Sequence, residues 1–72
     1  MMKKLVFIIK SDNDGGYVAK SKLENGSIIT QGDDLQELKE MIKDAIEGYF
    51  FDKPDHKPKS VLLKFEEVLA LA

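Results

Sequence analysis

Seventy-two residues without a cysteine read as one domain, 1–72, that neither a disulfide nor a thiolate metal site can brace. The charge is near balance, 13 acids against 11 basic residues for a net of -2. Every basic residue is lysine; a chain without arginine lacks the side chain best suited to bidentate phosphate and base contacts, so no direct nucleic-acid binding is expected.

No run of about 18 apolar residues occurs, so no membrane span is expected. The apolar run Leu5–Ile9 is too short for a secretory signal and no small-residue cleavage site follows it, so a cytoplasmic location is expected. A core of this size is marginal, and oligomerisation is one ordinary remedy.

Taken in order, the chain first predicts a strand over 3–10. Its odd positions Leu5, Phe7 and Ile9 and its even positions Val6 and Ile8 are all apolar, which points to a central strand covered on both faces. Asp12-Asn13-Asp14-Gly15-Gly16 has strong turn chemistry. A second strand, 17–22, sets Tyr17, Ala19 and Ser21 against Val18, Lys20 and Lys22. Asn25-Gly26 is the preferred centre of a type I′ hairpin, and the short, half-polar strand 27–31 that follows suits an edge.

The next stretch organises the rest. Gly32 can supply a positive φ for a sharp strand-to-helix turn, Asp34 is the expected N-cap, and Glu37 stands where a capping-box partner belongs. Asp33, Asp34 and Glu37 put negative charge at the positive end of the helix dipole. Leu35, Leu38, Ile42, Ala45, Ile46 and Tyr49 fall at helical spacing, with Met41 at the margin of the stripe, and this should be the one helix. A polar connection, 51–58, holds Pro54 and Pro58, which oppose helix continuation. A fourth strand begins at Ser60 and reaches about Ala70, either through a bulge at Glu66-Glu67 or with 66–71 as a short helix instead.

The order is therefore β-β-β-α-β, an α+β fold. Three strands joined by short hairpins make a meander, and a right-handed crossover places the fourth parallel to the first, for a spatial order 3-2-1-4 with the helix on one face.

Several segments together resemble the HicB antitoxin family. They are Asp12-x-Asp14-Gly15-Gly16-Tyr17-x-Ala19, Thr30-Gln31-Gly32-Asp33-Asp34-Leu35-x-Glu37-Leu38, Ile42-Lys43-Asp44-Ala45-Ile46-Glu47 and Tyr49-Phe50-Phe51. The ending Glu66-Glu67-Val68-Leu69-Ala70-Leu71 resembles the short single-domain members in particular. The resemblance implies a partial RNase H-like fold and a protein that binds and neutralises HicA, a small mRNA-cleaving toxin. Many HicB antitoxins also carry a C-terminal DNA-binding domain; with nothing after Ala72, operon repression by this chain alone is not expected. The loop 23–27 is shorter than the commoner family loop, which holds prolines and a glycine-cysteine pair.

Other chemistry is poorly supported. Asp12-Asn13-Asp14-Gly15-Gly16 superficially suggests a calcium loop, but Gly16 and Leu23 stand where an EF-hand needs ligands, so no metal or other cofactor is expected. RNase H chemistry needs clustered carboxylates around metal ions, and Leu5–Ile9 contains no acid, so no enzyme is expected. His56 sits in a polar loop, and the serines lack a nucleophile-elbow setting. A phosphate at Gly32 would be repelled by Asp33 and Asp34.

The acidic helix face, Glu37, Glu40, Asp44 and Glu47, is either a solvated surface or a docking site for a basic partner. The functional expectation is a HicB-like antitoxin or derived binding module with a HicA-like toxin as partner; the alternative is a stand-alone oligomer with a regulatory or unknown binding role. A homodimer or larger assembly is expected through strand four and the sheet face away from the helix, with Leu63, Phe65, Val68 and Leu69 at the interface.

Overall fold

A computed structural model describes residues 4–24, 26–66 and 71 of the chain. Strands β1 (Lys4–Ser11), β2 (Tyr17–Leu23) and β3 (Gly26–Gly32) precede helix α1 (Leu35–Tyr49), and β4 (Ser60–Glu66) closes the order. The sheet runs β3-β2-β1-β4. β1 pairs antiparallel with β2 and parallel with β4, and β2 pairs antiparallel with β3. This is the α+β arrangement expected, with one α-helix on one face among the described residues. The 51–58 connection adds a short 3-10 turn, Pro54–His56, and buries Pro58.

Alternation decides which side chains meet the helix. On that side β1 contributes Leu5, Phe7 and Ile9, β2 Ala19 and Ser21, and β3 Ile28, all buried. From α1, Leu38, Ile42 and Ile46 close over them, and Phe50 joins from just beyond the helix end. The stripe is narrower than its spacing suggested: Leu35 and Tyr49, at its two ends, are 38% and 42% exposed. The Tyr49 ring instead stands edge-on to Phe50, centroids 5.0 Å apart. The core thus takes in Phe50, while the helical period alone selected Tyr49.

The hairpin between β2 and β3 turns one residue earlier than the Asn-Gly step implied. Leu23 pairs with Gly26, so Gly26 already belongs to the ladder. β4 is described as far as Glu66, and the choice between a bulge and a helix over 66–71 rests on residues 67–70, which lie outside the described residues.

β1 is central, yet its two faces are not covered alike. On the outer face Val6 is 38% exposed and Ile8 half-buried. A single helix cannot cover both faces, and on the outer face Val6, Leu62 and Ile8 lie side by side with lysines around them. Ile8 lies between Lys20 and Lys64, Lys10 beside Val18, and Ile29 beside Lys20. Lysine stems can lie along such apolar neighbours while the ammonium groups stay in water. The helix, moreover, is off-centre. It packs over β3 and β2 and its backbone keeps away from β4. Val61, Leu63 and Phe65 pair with Leu5, Phe7 and Ile9 and therefore share the helix side, not the outer face. Of the expected interface residues, Leu63 is half-buried and Phe65 exposed, and both lie beyond the edge of the helix; Val68 and Leu69 lie outside the described residues.

Two leucines of the helical stripe provide a direct check. Leu38→Ala should cost about 2–5 kcal/mol, as buried leucine truncations do, whereas Leu35→Ala should stay within about 0.5 kcal/mol, as at exposed positions. Urea titrations of both variants would measure the difference; similar losses would mean that Leu35 is as much a core residue as Leu38.

Candidate functional site

The two glycine-bearing turns meet at one end of the sheet because the strand register brings them there. Tyr17 pairs with Gly32, so the turn that precedes β2 lies against the turn that follows β3. In the first, the Gly15 N–H donates to the Asp12 carbonyl and the Asp12 N–H to the Gly16 carbonyl, both at 3.0 Å. Gly15 and Gly16 hold φ of 93° and 82°, a region that side chains with a Cβ rarely adopt. A Cβ on Gly16 would also come within 2.6 Å of the Gly32 carbonyl oxygen.

Gly32 has a different role from the one expected. Its φ is not positive. A Cβ there would lie 2.5 Å from the Leu38 nitrogen and 2.7 Å from the Leu38 Cα. Gly32 is required by proximity: the first turn of α1 rests directly on the end of β3. Sequence shows a glycine before an N-cap, which serves either purpose; only the approach of the helix separates them.

The helix start matches expectation more closely. Asp34 is the N-cap, extended at φ -142°, and its Oδ1 accepts the Glu37 N–H at 2.8 Å. Glu37 reaches back, but to the Asp33 N–H at 2.7 Å, one residue before the position a capping box uses. Two N–H groups at the helix start thereby gain charge-assisted partners.

These turns assemble an acidic corner that sequence spacing did not reveal. Asp12, Asp14, Asp33 and Glu37 border an open cleft with Tyr17, Gln31 and Met41. The two pairs of acids are about twenty positions apart, and the clue that joins them is the hairpin arithmetic that sets Tyr17 opposite Gly32. Along α1 the acidic face continues through Glu40, Asp44 and Glu47, all exposed. Parts of that face have local partners: Gln36 donates to Glu40, and Lys57 pairs with Glu47.

Among the described residues, no three His, Cys, Asp or Glu side chains gather so as to hold a metal ion. His56 is exposed and lies before β4, whose Ser60 pairs with Lys4 at the opposite end of β1 from the cleft. No helix among the described residues is long and apolar enough to cross a membrane.

A UPF0150 protein of Thermotoga maritima is 43% identical over 70 residues, covering 97% of this chain and 93% of that protein. The chain belongs to the UPF0150 family. A second UPF0150 protein, from Archaeoglobus fulgidus, is 44% identical over 46 residues, 64% of this chain and 65% of its own. No protein-family model matches the chain, and no solved structure matches it.

In this UPF0150 chain the corner yields two tests. Asp34→Ala should cost about 0.5–2 kcal/mol by removing the cap, or about 4–8 °C in melting temperature per kcal/mol for a domain this small. An unchanged melting curve would mean that Asp34 contributes nothing as a cap. Gly32→Ala should cost about 1–3 kcal/mol or more, because overpacking must push the helix off the strand. Gly15→Ala meets no neighbouring atom within 4 Å and bears only its backbone cost, about 1–2 kcal/mol for a left-handed residue. Chemical denaturation should therefore rank Gly32→Ala as the more damaging; the reverse order would refute the proximity reading.

Proposed function

We propose that this chain is a HicB-like protein-binding module of the antitoxin kind, with a partial RNase H-like fold, which neutralises a small basic HicA-like toxin in the cytoplasm. The observation that carries the reading is the acidic surface. It begins at Asp12 and Asp14, crosses the helix start at Asp33 and Glu37, and continues along α1 through Glu40, Asp44 and Glu47. A field of one sign over such a surface attracts and orients a partner of the other sign. The resemblance in the two glycine turns supports the same reading, since those residues shape the corner that presents the acids. In this reading the protein works by covering its partner, and is neither an enzyme nor a holder of a cofactor.

The other reading is a HicB-like protein that has no toxin and acts as a stand-alone oligomer in a regulatory or unknown binding role. The β4 half of the sheet, left open by the helix, favours self-association in either case.

Co-expression with the product of the neighbouring gene, followed by pull-down, tests the first reading. A complex at micromolar concentration is expected, and the double variant Glu40→Lys/Asp44→Lys should weaken it at least tenfold while leaving the melting temperature within a few degrees, because both side chains are exposed. No complex, or RNA cleavage by this protein alone, would refute it.

A further inference from the structure

We propose that two copies of this chain pair antiparallel through β4, about a two-fold axis at Leu63, each setting its Phe65 into the groove between α1 and β4 of the other. The proposal does not depend on any toxin partner.

The groove follows from the off-centre helix. Because α1 sits over β3 and β2, a trough of about 320 Å³ remains between it and β4. Ile42, Ile46, Val61 and Leu63 make its apolar surface, with Lys39 and Lys43 on the helix rim. Val61 and Leu63 are only half-buried. Phe65 stands on the same side of the sheet, 55% exposed. An apolar trough thus lies next to an exposed aromatic ring on a single strand.

Among the described residues that strand is also a sheet edge, next to β1 alone. Natural edges are usually blunted by charge, proline or a covering element. β3, the other edge, is short-chained and polar at Ser27, Thr30 and Gln31 and lies under the helix. Val61-Leu62-Leu63 of β4 is apolar, and among the described residues α1 does not cover it.

Two-fold symmetry then selects the register. A strand that pairs with its own copy in a closed dimer must run antiparallel, and directly opposed residues must lie on the same sheet face. The axis must therefore pass through a residue. With the axis at Leu63, Val61 faces Phe65, Leu62 faces Lys64, and Glu66 comes opposite residue 60, next to Lys59. Val61 lines the groove, so the ring of the opposite Phe65 is delivered into it. With the axis at Lys64, the two ammonium groups would be directly opposed, and like charges opposed across strands are destabilising. With the axis at Leu62, Phe65 would face Lys59 and miss the groove. Only Leu63 satisfies both the apolar and the charge pattern.

The outcome is an eight-stranded sheet with both helices on one side and the two grooves closed between them. The outer face takes no part. A face-to-face contact through it would set Lys4, Lys10, Lys20, Lys22 and Lys64 against the same five lysines.

The absence of cysteine makes the test clean. Opposed residues in an antiparallel pair have Cα atoms about 4.5–5.5 Å apart, within disulfide reach. Under oxidation Leu63→Cys should cross-link to itself nearly completely. Val61→Cys mixed with Phe65→Cys should give the mixed dimer, whereas an Asp44→Cys control on the helix should remain monomeric. Light scattering of the cysteine-free protein at high micromolar concentration should give twice the chain mass, and Phe65→Lys should halve it with the helical circular dichroism retained. A monomeric wild type overturns the proposal. So does a dimer in which Leu63→Cys cross-links no better than the Asp44→Cys control, which would move the interface elsewhere. The cross-linking arm decides the matter even if Phe65→Lys fails to fold.

Discussion

The contact on which the rest of this structure depends is glycine on backbone. Gly32 lets the first turn of α1 rest against the end of β3, closer than any Cβ would allow, and Gly16 lets the neighbouring turn close against Gly32 in the same way. Neither contact buries much apolar surface. Their effect is geometric: they fix where the helix begins, and from that point its direction over the sheet is set by Leu38, Ile42 and Ile46 meeting Phe7, Ile9, Ala19 and Ile28. The cap at Asp34 and the reach of Glu37 back to the Asp33 N–H then hold the start in place with two charge-assisted hydrogen bonds.

The helix position has consequences on both sides. A helix that begins hard against β3 runs over β3 and β2, and 15 residues form a cylinder too narrow to cover four strands. β4 is left with its helix-side residues partly open. The parallel pairing of β4 with β1 is nevertheless satisfied along its length, from Lys4 opposite Ser60 to Lys10 opposite Glu66, and the last pair adds an ion pair at 3.5 Å. Both side chains of that pair are well exposed, so it adds little stability. β4 is thus secured by backbone pairing and by Val61 and Leu63, and among the described residues nothing pairs with its opposite edge or fills the trough beside it.

Most of the fold was legible in the sequence because its signals are local and agree with one another. Asx-Gly turns, a capped amphipathic helix and proline after it prescribe the element order, and the doubly apolar strand one prescribes a central position. What was not legible depended on relations between distant segments. A glycine before a helix can serve a positive φ or a close approach, and only the position of Leu38 over Gly32 decides between them. The choice of Phe50 over Tyr49 depends on how the chain leaves the helix, which the 3.6-residue period does not describe. The acidic corner required the register that puts Tyr17 opposite Gly32, and the pairing of Leu23 with Gly26 fixes that register. The lateral offset of the helix has no sequence signal of its own, yet it decides that Leu63 and Phe65 lie in the open on the helix side.

Charge is segregated between the two broad surfaces, and this bears on how the molecule can associate. The N-terminal corner of α1 and its line Glu40, Asp44 and Glu47 are acidic, with Lys39 and Lys43 on the groove side, while the outer face of the sheet carries Lys4, Lys10, Lys20, Lys22 and Lys64 with Glu66 as its one acid among the described residues. Copies could in principle stack acidic helix on basic sheet, but such a contact joins two different patches and does not close, so it would generate fibres. Long, mobile lysines and salt screening make that contact weak. An edge contact at β4 joins one patch to itself, stops at two copies, and leaves both charged surfaces facing outward. The offset of the helix, set by two glycines at the far end of the sheet, thereby supplies the apolar seam that a chain with two oppositely charged faces needs in order to associate without polymerising.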